Sequence, residues 1–190
     1  MKFEDLTEEN NFWKLYALTR KIPDSKDNVL IFIVSYIIFF SYNYDGLKIE
    51  VDEFDRVKDA LKLLLSTLLS IMGFILAGYA IFATLTDKEL QHELADHIEP
   101  TTKLNYLKYS HCIFIRILVD LLLIAFLSLL FFAFLEMANG ISFEIEVLIS
   151  IIEPLVYALM VLILMLCKSF IYNVYHSIMT SMRWYSENNQ

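Results

Sequence analysis

The chain has 190 residues, 57% of them hydrophobic and 20% charged, with a mean hydropathy of +0.54 and a formal net charge of −8. This composition excludes an ordinary water-soluble globular domain. No cluster of Lys and Arg is available to neutralise several phosphates at once, which excludes direct nucleic-acid binding as well. Four apolar stretches, roughly 29–42, 61–85, 112–135 and 147–167, set the class. A bilayer core about 30 Å thick takes about 20 apolar residues of helix, a length the last three stretches reach and the first does not.

Residues 1–27 are polar and acidic and lack the basic region, apolar run and small-residue cleavage site of a secretory signal, so the first span is expected to be retained. Within this segment Phe12, Trp13, Leu15, Tyr16 and Leu18 recur among polar residues from Thr7 to Arg20, predicting a short amphipathic helix broken by Pro23 and Asp24. Such a helix suits either the membrane surface or packing on the rest of the protein. The first apolar stretch is the weak point of a four-span count, because a segment lying in the interface would leave three. Residues 52–59 are charged but hold no Gly or Pro, so the second long helix is expected to start before its span and enter it near Leu61.

Beyond Leu85 the helical pattern continues, with Leu90, Leu94 and Ile98 recurring every fourth residue until Pro100. Thr101 or Thr102 is the expected N-cap of the next helix, giving a helical hairpin over 87–111 that projects beyond the membrane. Asn139 and Gly140 supply a stop for the third span. The fourth helix continues past Lys168 through Tyr172, Asn173, Tyr175, His176, Met179 and Met182 into a C-terminal extension over 173–190. The predicted fold is therefore all-α: a membrane domain over 28–172 with about four transmembrane helices, of which the second to fourth extend into a cytoplasmic helical bundle. With both termini inside, eleven of the fifteen basic residues fall on the cytoplasmic side, so cytoplasmic termini in a bacterial inner membrane are expected.

Six small residues, Ser66, Ser70, Gly73, Ala77, Ala80 and Thr84, are spaced four, three, four, three and four along the second span. They form a helix-packing seam that lets another helix approach closely, either a span of the same chain or a second copy in a homo-oligomer. Three ionisable groups lie inside spans, where they normally face a partner or water: Arg116 and Asp120 in the third and Glu153 in the fourth. Arg116 and Asp120 are four apart and can pair, with Lys168 expected at a similar depth in a structural cluster. Glu153, beside Pro154, reads either as a protonated carboxyl bonded to a neighbour or as part of an ion or proton pathway.

His92, Glu93, Asp96 and His97 have pairs at ligand spacing, but the pairs point about 100° apart and lack a fixed third ligand, so no metal site is expected. No catalytic triad, CxxC pair or glycine-rich phosphate loop is present, and no cofactor or enzymatic role is assigned. Cys112 and Cys167 are expected as free thiols filling space.

At Gly73-Phe-Ile-Leu-Ala-Gly-Tyr-Ala-Ile-Phe-Ala-Thr-Leu-Thr-Asp-Lys-Glu-Leu, a small-residue span turning directly into a charged helix, the chain resembles small four-span bacterial phage-defence membrane proteins. These are the membrane component of the Kiwa system and that of Rex-type exclusion. The likeness covers overall architecture from about Leu61 to Arg183. It implies an inner-membrane homo-oligomer that either senses infection and recruits a cytosolic effector or depolarises the membrane. The leading expectation is a sensor or scaffold docking a cytosolic protein partner at Glu89, Glu93 and Asp96, because three helices overrun the bilayer on one side. A gated channel is the alternative, motivated by the small-residue seam and Glu153. A small transporter subunit unrelated to defence is a further alternative, although no inverted repeat is evident.

Overall fold

The computed structural model describes residues 9–23, 25–44, 52–85, 88–137 and 143–188, and these form an all-α protein. Six helices are described: α1 (Phe12–Thr19), α2 (Lys26–Tyr44), α3 (Asp52–Leu85), α4 (Lys88–Asp96), α5 (Tyr106–Met137) and α6 (Phe143–Asn188). Three of them contain stretches long and apolar enough to cross a membrane, Phe54–Thr84, Tyr106–Met137 and Leu148–Ser186, holding 18-residue windows with mean hydropathies of 2.1, 2.8 and 2.4. Large apolar side chains stand open on these helices, among them Leu69, Phe126, Leu127 and Leu164. Water would penalise such a surface and lipid would cover it, so these helices are compatible with a membrane protein. On α2, Leu30, Ile37 and Ile38 are likewise exposed.

The described residues fall into two compact units. The first gathers those of Met1–Pro23, Gly73–Asp120 and Lys168–Gln190, and the second those of Asp24–Met72 and Leu121–Cys167. In the second unit α3 buries Val57, Leu61, Leu64 and Leu68, a spacing of four, three and four that places all four on one stripe. On α6, Ile149, Glu153, Val156 and Ile163 are buried at similar intervals. Pro154 lies inside α6 without ending it.

The first unit is organised around aromatic rings. Phe114 and Phe170, 1% and 2% exposed, lie 5.7 Å apart between ring centroids, and Phe82 packs against Phe114 at 4.7 Å with its ring tilted by 41°. Gly78 admits this packing, since a Cβ there would come within 2.5 Å of the Phe170 ring. Among the described residues, the glycine that seats one helix against another is thus Gly78, outside the predicted seam, whereas a Cβ on Gly73 would meet nothing within 4 Å.

The amphipathic N-terminal helix is shorter than the predicted Thr7–Arg20. Asn11 caps it by accepting the backbone N–H of Lys14 at 2.9 Å. Its C-terminal end packs on the protein: Leu18 and Ile22 are buried in a cluster with Leu104 and Cys112, while Trp13 remains exposed. Glu9 pairs with Lys108 at 2.7 Å and Arg20 pairs with Asp120, so the segment is strapped to α5 at both ends.

The helical hairpin differs from expectation. α4 ends at Asp96 instead of running to Pro100, and a tight turn follows in which Ile98 and Asn105 form an isolated β-bridge. The backbone N–H of Glu99 donates to the Leu104 carbonyl at 2.7 Å and that of Tyr106 to the His97 carbonyl at 3.0 Å. Asn105, not Thr101 or Thr102, caps α5 by accepting the Lys108 N–H at 2.6 Å. Asn places its carbonyl oxygen well for this role, and Thr102 is engaged elsewhere in the turn. Thr7, Asp24 and the Asn139-Gly140 stop lie outside the described residues.

The two seam-region glycines should therefore behave differently. Gly78→Ala forces the Phe170 ring out of a filled aromatic cluster and is expected to cost about 1–3 kcal/mol. Gly73→Ala should change the stability of a single copy by no more than about 0.5 kcal/mol. Thermal unfolding in mild detergent reads both, and equal effects at the two positions would show that Gly78 is not the seat of Phe170.

Candidate functional site

Glu153 is the most deeply buried carboxylate described, with 4% of its side chain exposed. It is an ion-pair partner: Arg56 donates from Nε to Oε1 at 2.9 Å and from Nη2 to Oε2 at 3.1 Å, a bidentate fork. The neighbour to which Glu153 was expected to bond is thus a cation, Arg56. Arg56, counted in the sequence only as a charge preceding the second span, lies one turn inside α3 and reaches α6. The available signal was the absence of a helix breaker between Asp52 and Leu61, which extends α3 far enough to bring a cation to Glu153. Pairing of this kind is what a buried carboxylate requires, because an isolated charge there would cost several kcal/mol.

The second predicted cluster is also rearranged. Arg116 is 6% exposed and lies 3.8 Å from Asp120, as i,i+4 spacing allows. Lys168, however, stands exposed, and the other cation on Asp120 is Arg20, from the segment after α1. Arg20 also lies over the Tyr16 ring at 4.7 Å. In the second unit Lys58 pairs with Glu136 at 3.0 Å. A hydrogen-bonded pair inside the spans was not anticipated: Tyr79 Oη lies 3.0 Å from His111 Nδ1, with the imidazole ring packed against Phe82. Its signal was an imidazole at the edge of an apolar stretch, which charge counting passes over.

All six seam residues are exposed. Ser66 and Ser70 face outward in the second unit, as do Gly73, Ala77, Ala80 and Thr84 in the first. Within each unit, therefore, no described helix covers the seam. Its hydroxyls turn back on the helix: Ser66 donates to the Leu63 carbonyl at 3.0 Å, Ser70 to that of Ser66 at 3.0 Å, and Thr84 to that of Ile81 at 2.9 Å. The outward face is thereby smooth and its polar hydrogens are satisfied.

Glu89, Glu93 and Asp96 are exposed on α4, while Leu90 on the other side is buried. Beside them opens a cleft of about 640 Å³ lined by Phe82, Leu94, Phe114, His176 and Trp184. Among the described residues no three His, Cys, Asp or Glu side chains gather as metal ligands. Cys112 and Cys167 are free thiols.

No protein-family model, curated protein or solved structure matches this chain. The interactions these groups make are ion pairs and hydrogen bonds. The turn that follows α4 adds one titratable element. Thr102 donates its hydroxyl at 2.6 Å and its backbone N–H at 2.5 Å to one oxygen of Glu99. These bonds, the hydroxyl first, hold the carboxyl at about 2 instead of 4.5.

Because the folded carboxyl titrates below its unfolded value, the turn's stabilisation is complete above about pH 4.5 and is lost as pH falls through about 2. The Glu99 side-chain carbonyl resonance is expected to titrate near 2 and to move up toward 4.5 in Thr102→Ala. A wild-type midpoint near 4.5 would show that the Thr102 bonds do not hold the ionised form.

Proposed function

We propose that the protein is a non-enzymatic, homo-oligomeric scaffold of the bacterial inner membrane, assembled through the outward face of α3 and docking a cytosolic protein on the acidic face of α4. The observation that carries this reading is the exposure of all six small residues of the seam. Small-xxx-small spacing at three successive steps, Ser66 with Ser70, Gly73 with Ala77 and Ala80 with Thr84, allows backbones to approach closely, and in lipid that approach is a main source of helix association. A second copy of α3 offers the same face in return, as an isologous contact demands.

In this reading α2 is the first of four spans, its exposed apolar side chains meeting lipid, and both termini lie in the cytoplasm according to the distribution of Lys and Arg. Glu89, Glu93 and Asp96 then face the cytosol and suit a basic surface on the partner. The resemblance to phage-defence membrane proteins supports a role in which this oligomer senses infection and passes the signal to a soluble effector. A gated channel is less favoured, because Glu153, one of the two features that motivated it, is paired with Arg56.

Ala77→Leu places a bulky side chain in the centre of the seam and is expected to convert the oligomer to monomer in mild detergent, measured by native mass spectrometry. Leu164→Ala, at an exposed position on α6, serves as the control and should leave the assembly intact. A monomeric wild type, or an Ala77→Leu variant that assembles normally, would remove the seam from the assembly.

Charge reversal of Glu89, Glu93 and Asp96 to Lys is expected to release the cytosolic partner that co-purifies with the native complex, without altering the oligomer. Retention of that partner by the triple variant would place docking elsewhere.

A further inference from the structure

Within the first unit, between the N-terminal segment and the turn after α4, opens a cleft of about 510 Å³. This volume falls in the range of roughly 300 to 1,000 Å³ typical of small-ligand sites. Three of the fifteen basic residues of this acidic chain line it: Lys21 from the segment after α1, Lys103 from the turn and Lys108 from α5. Glu9 holds Lys108 at 2.7 Å. Lys21 and Lys103 are exposed, and among the described residues neither side chain has a partner. Lys103 stands at φ 58°, a left-handed conformation that Gly or Asn adopts at less cost. Residues held in this way recur at binding sites. Asp96 lines the cleft as well, so three cations face two carboxylates and one positive charge is left over. The apolar part of the lining includes Ile98, 66% exposed. Asn105, also in the wall, immediately precedes the segment Tyr106–Met137 that is apolar enough to span, which sets the cleft at the end of that span.

We propose that this cleft binds the phosphodiester of a net-anionic phospholipid between the ammonium groups of Lys21 and Lys103, with Ile98 meeting the apolar part of the lipid. The end of an apolar span is the depth at which lipid phosphates lie, and basic pockets there suit anionic headgroups. An ammonium on a flexible stem acts as a point charge and adapts to a phosphate without a fixed fork. A phosphodiester carries one negative charge, equal to the excess in the cleft. A zwitterionic head brings an ammonium of its own that both lysines repel, so net-anionic heads are favoured and salt weakens their binding. A soluble phosphate offers the same charge but nothing for the exposed Ile98 to cover. The inference rests on the membrane reading of α5 and is independent of the oligomeric one.

The test starts with the full chain reconstituted into liposomes of phosphatidylglycerol and phosphatidylethanolamine and recovered by flotation. Native mass spectrometry after release into mild detergent should then show one phosphatidylglycerol per chain retained in preference to phosphatidylethanolamine. Lys21→Gln and Lys103→Asn should each lower that retention about fivefold at low salt, and the two together about 25-fold. Both positions are exposed and Asn tolerates the left-handed backbone, so folding is preserved. Lys21→Arg/Lys103→Arg should keep the lipid. Lys88→Gln/Lys168→Gln removes the same charge from exposed positions outside the cleft and should change nothing. Undiminished retention in the cleft double variant overturns the proposal, as does equal retention of phosphatidylethanolamine by the wild type. An equal loss in the Lys88 and Lys168 variant overturns it by assigning binding to general surface charge. Displacement of the lipid by glycerol phosphate or inorganic phosphate overturns it by making the site one for a soluble phosphate. Failure of the wild type to float with the liposomes removes the membrane reading and this inference with it, whereas flotation without lipid preference removes the inference alone.

Discussion

A carboxylate buried among apolar helices must meet a cation, and that requirement at Glu153 sets the register of the second unit. Once the Arg56 fork reaches Glu153, the rotation of α3 is decided. Val57, Leu61, Leu64 and Leu68 turn inward on the same side of the helix. Ser66 lies about 200° from Leu64 at the helical repeat and so turns outward with Ser70. Within the second unit this ion pair thus accompanies two faces of α3, a large-residue face that builds the core and a face with Ser66 and Ser70 that no described helix of the unit covers.

The class of the protein was legible because three apolar stretches exceed what any soluble helix needs, and hydropathy integrates over many residues. The continuity of α3 through its charged start and of α6 past Lys168 was legible for the same reason, since no breaker interrupts either. Pairing was less so. Spacing brought Arg116 to Asp120 but could not show that Arg20, from the segment after α1, would take the place expected for Lys168, because tertiary neighbours carry no signature in local spacing. The turn after α4 was misread for a different reason: the apolar period through Ile98 suits a helix, yet hydrogen bonding among Glu99, Thr102, Leu104 and Asn105 stabilises a competing turn.

The seam illustrates how a correct pattern can leave its partner undecided. Periodicity identified the six small residues as one face, but a face by itself does not say what covers it. Gly78 has the same residue type as Gly73, five positions earlier, and the opposite environment. One is filled by the Phe170 ring and the other is open. Their difference is one of helical phase, which becomes meaningful only when the inward side of α3 is known.

The strap formed by the N-terminal segment bears on how the protein is made. Arg20 and Asp120 are separated by 100 residues, and Leu18 and Ile22 complete a cluster with Leu104 and Cys112. During synthesis α1 cannot close onto its partners around α5 until that helix has been translated. For that interval its apolar residues, Phe12, Trp13 and Leu15 among them, are left to the nearest alternative, the membrane surface or a chaperone. Closure of the strap is therefore a late, long-range event in assembly, and one that reports that α5 has reached its place.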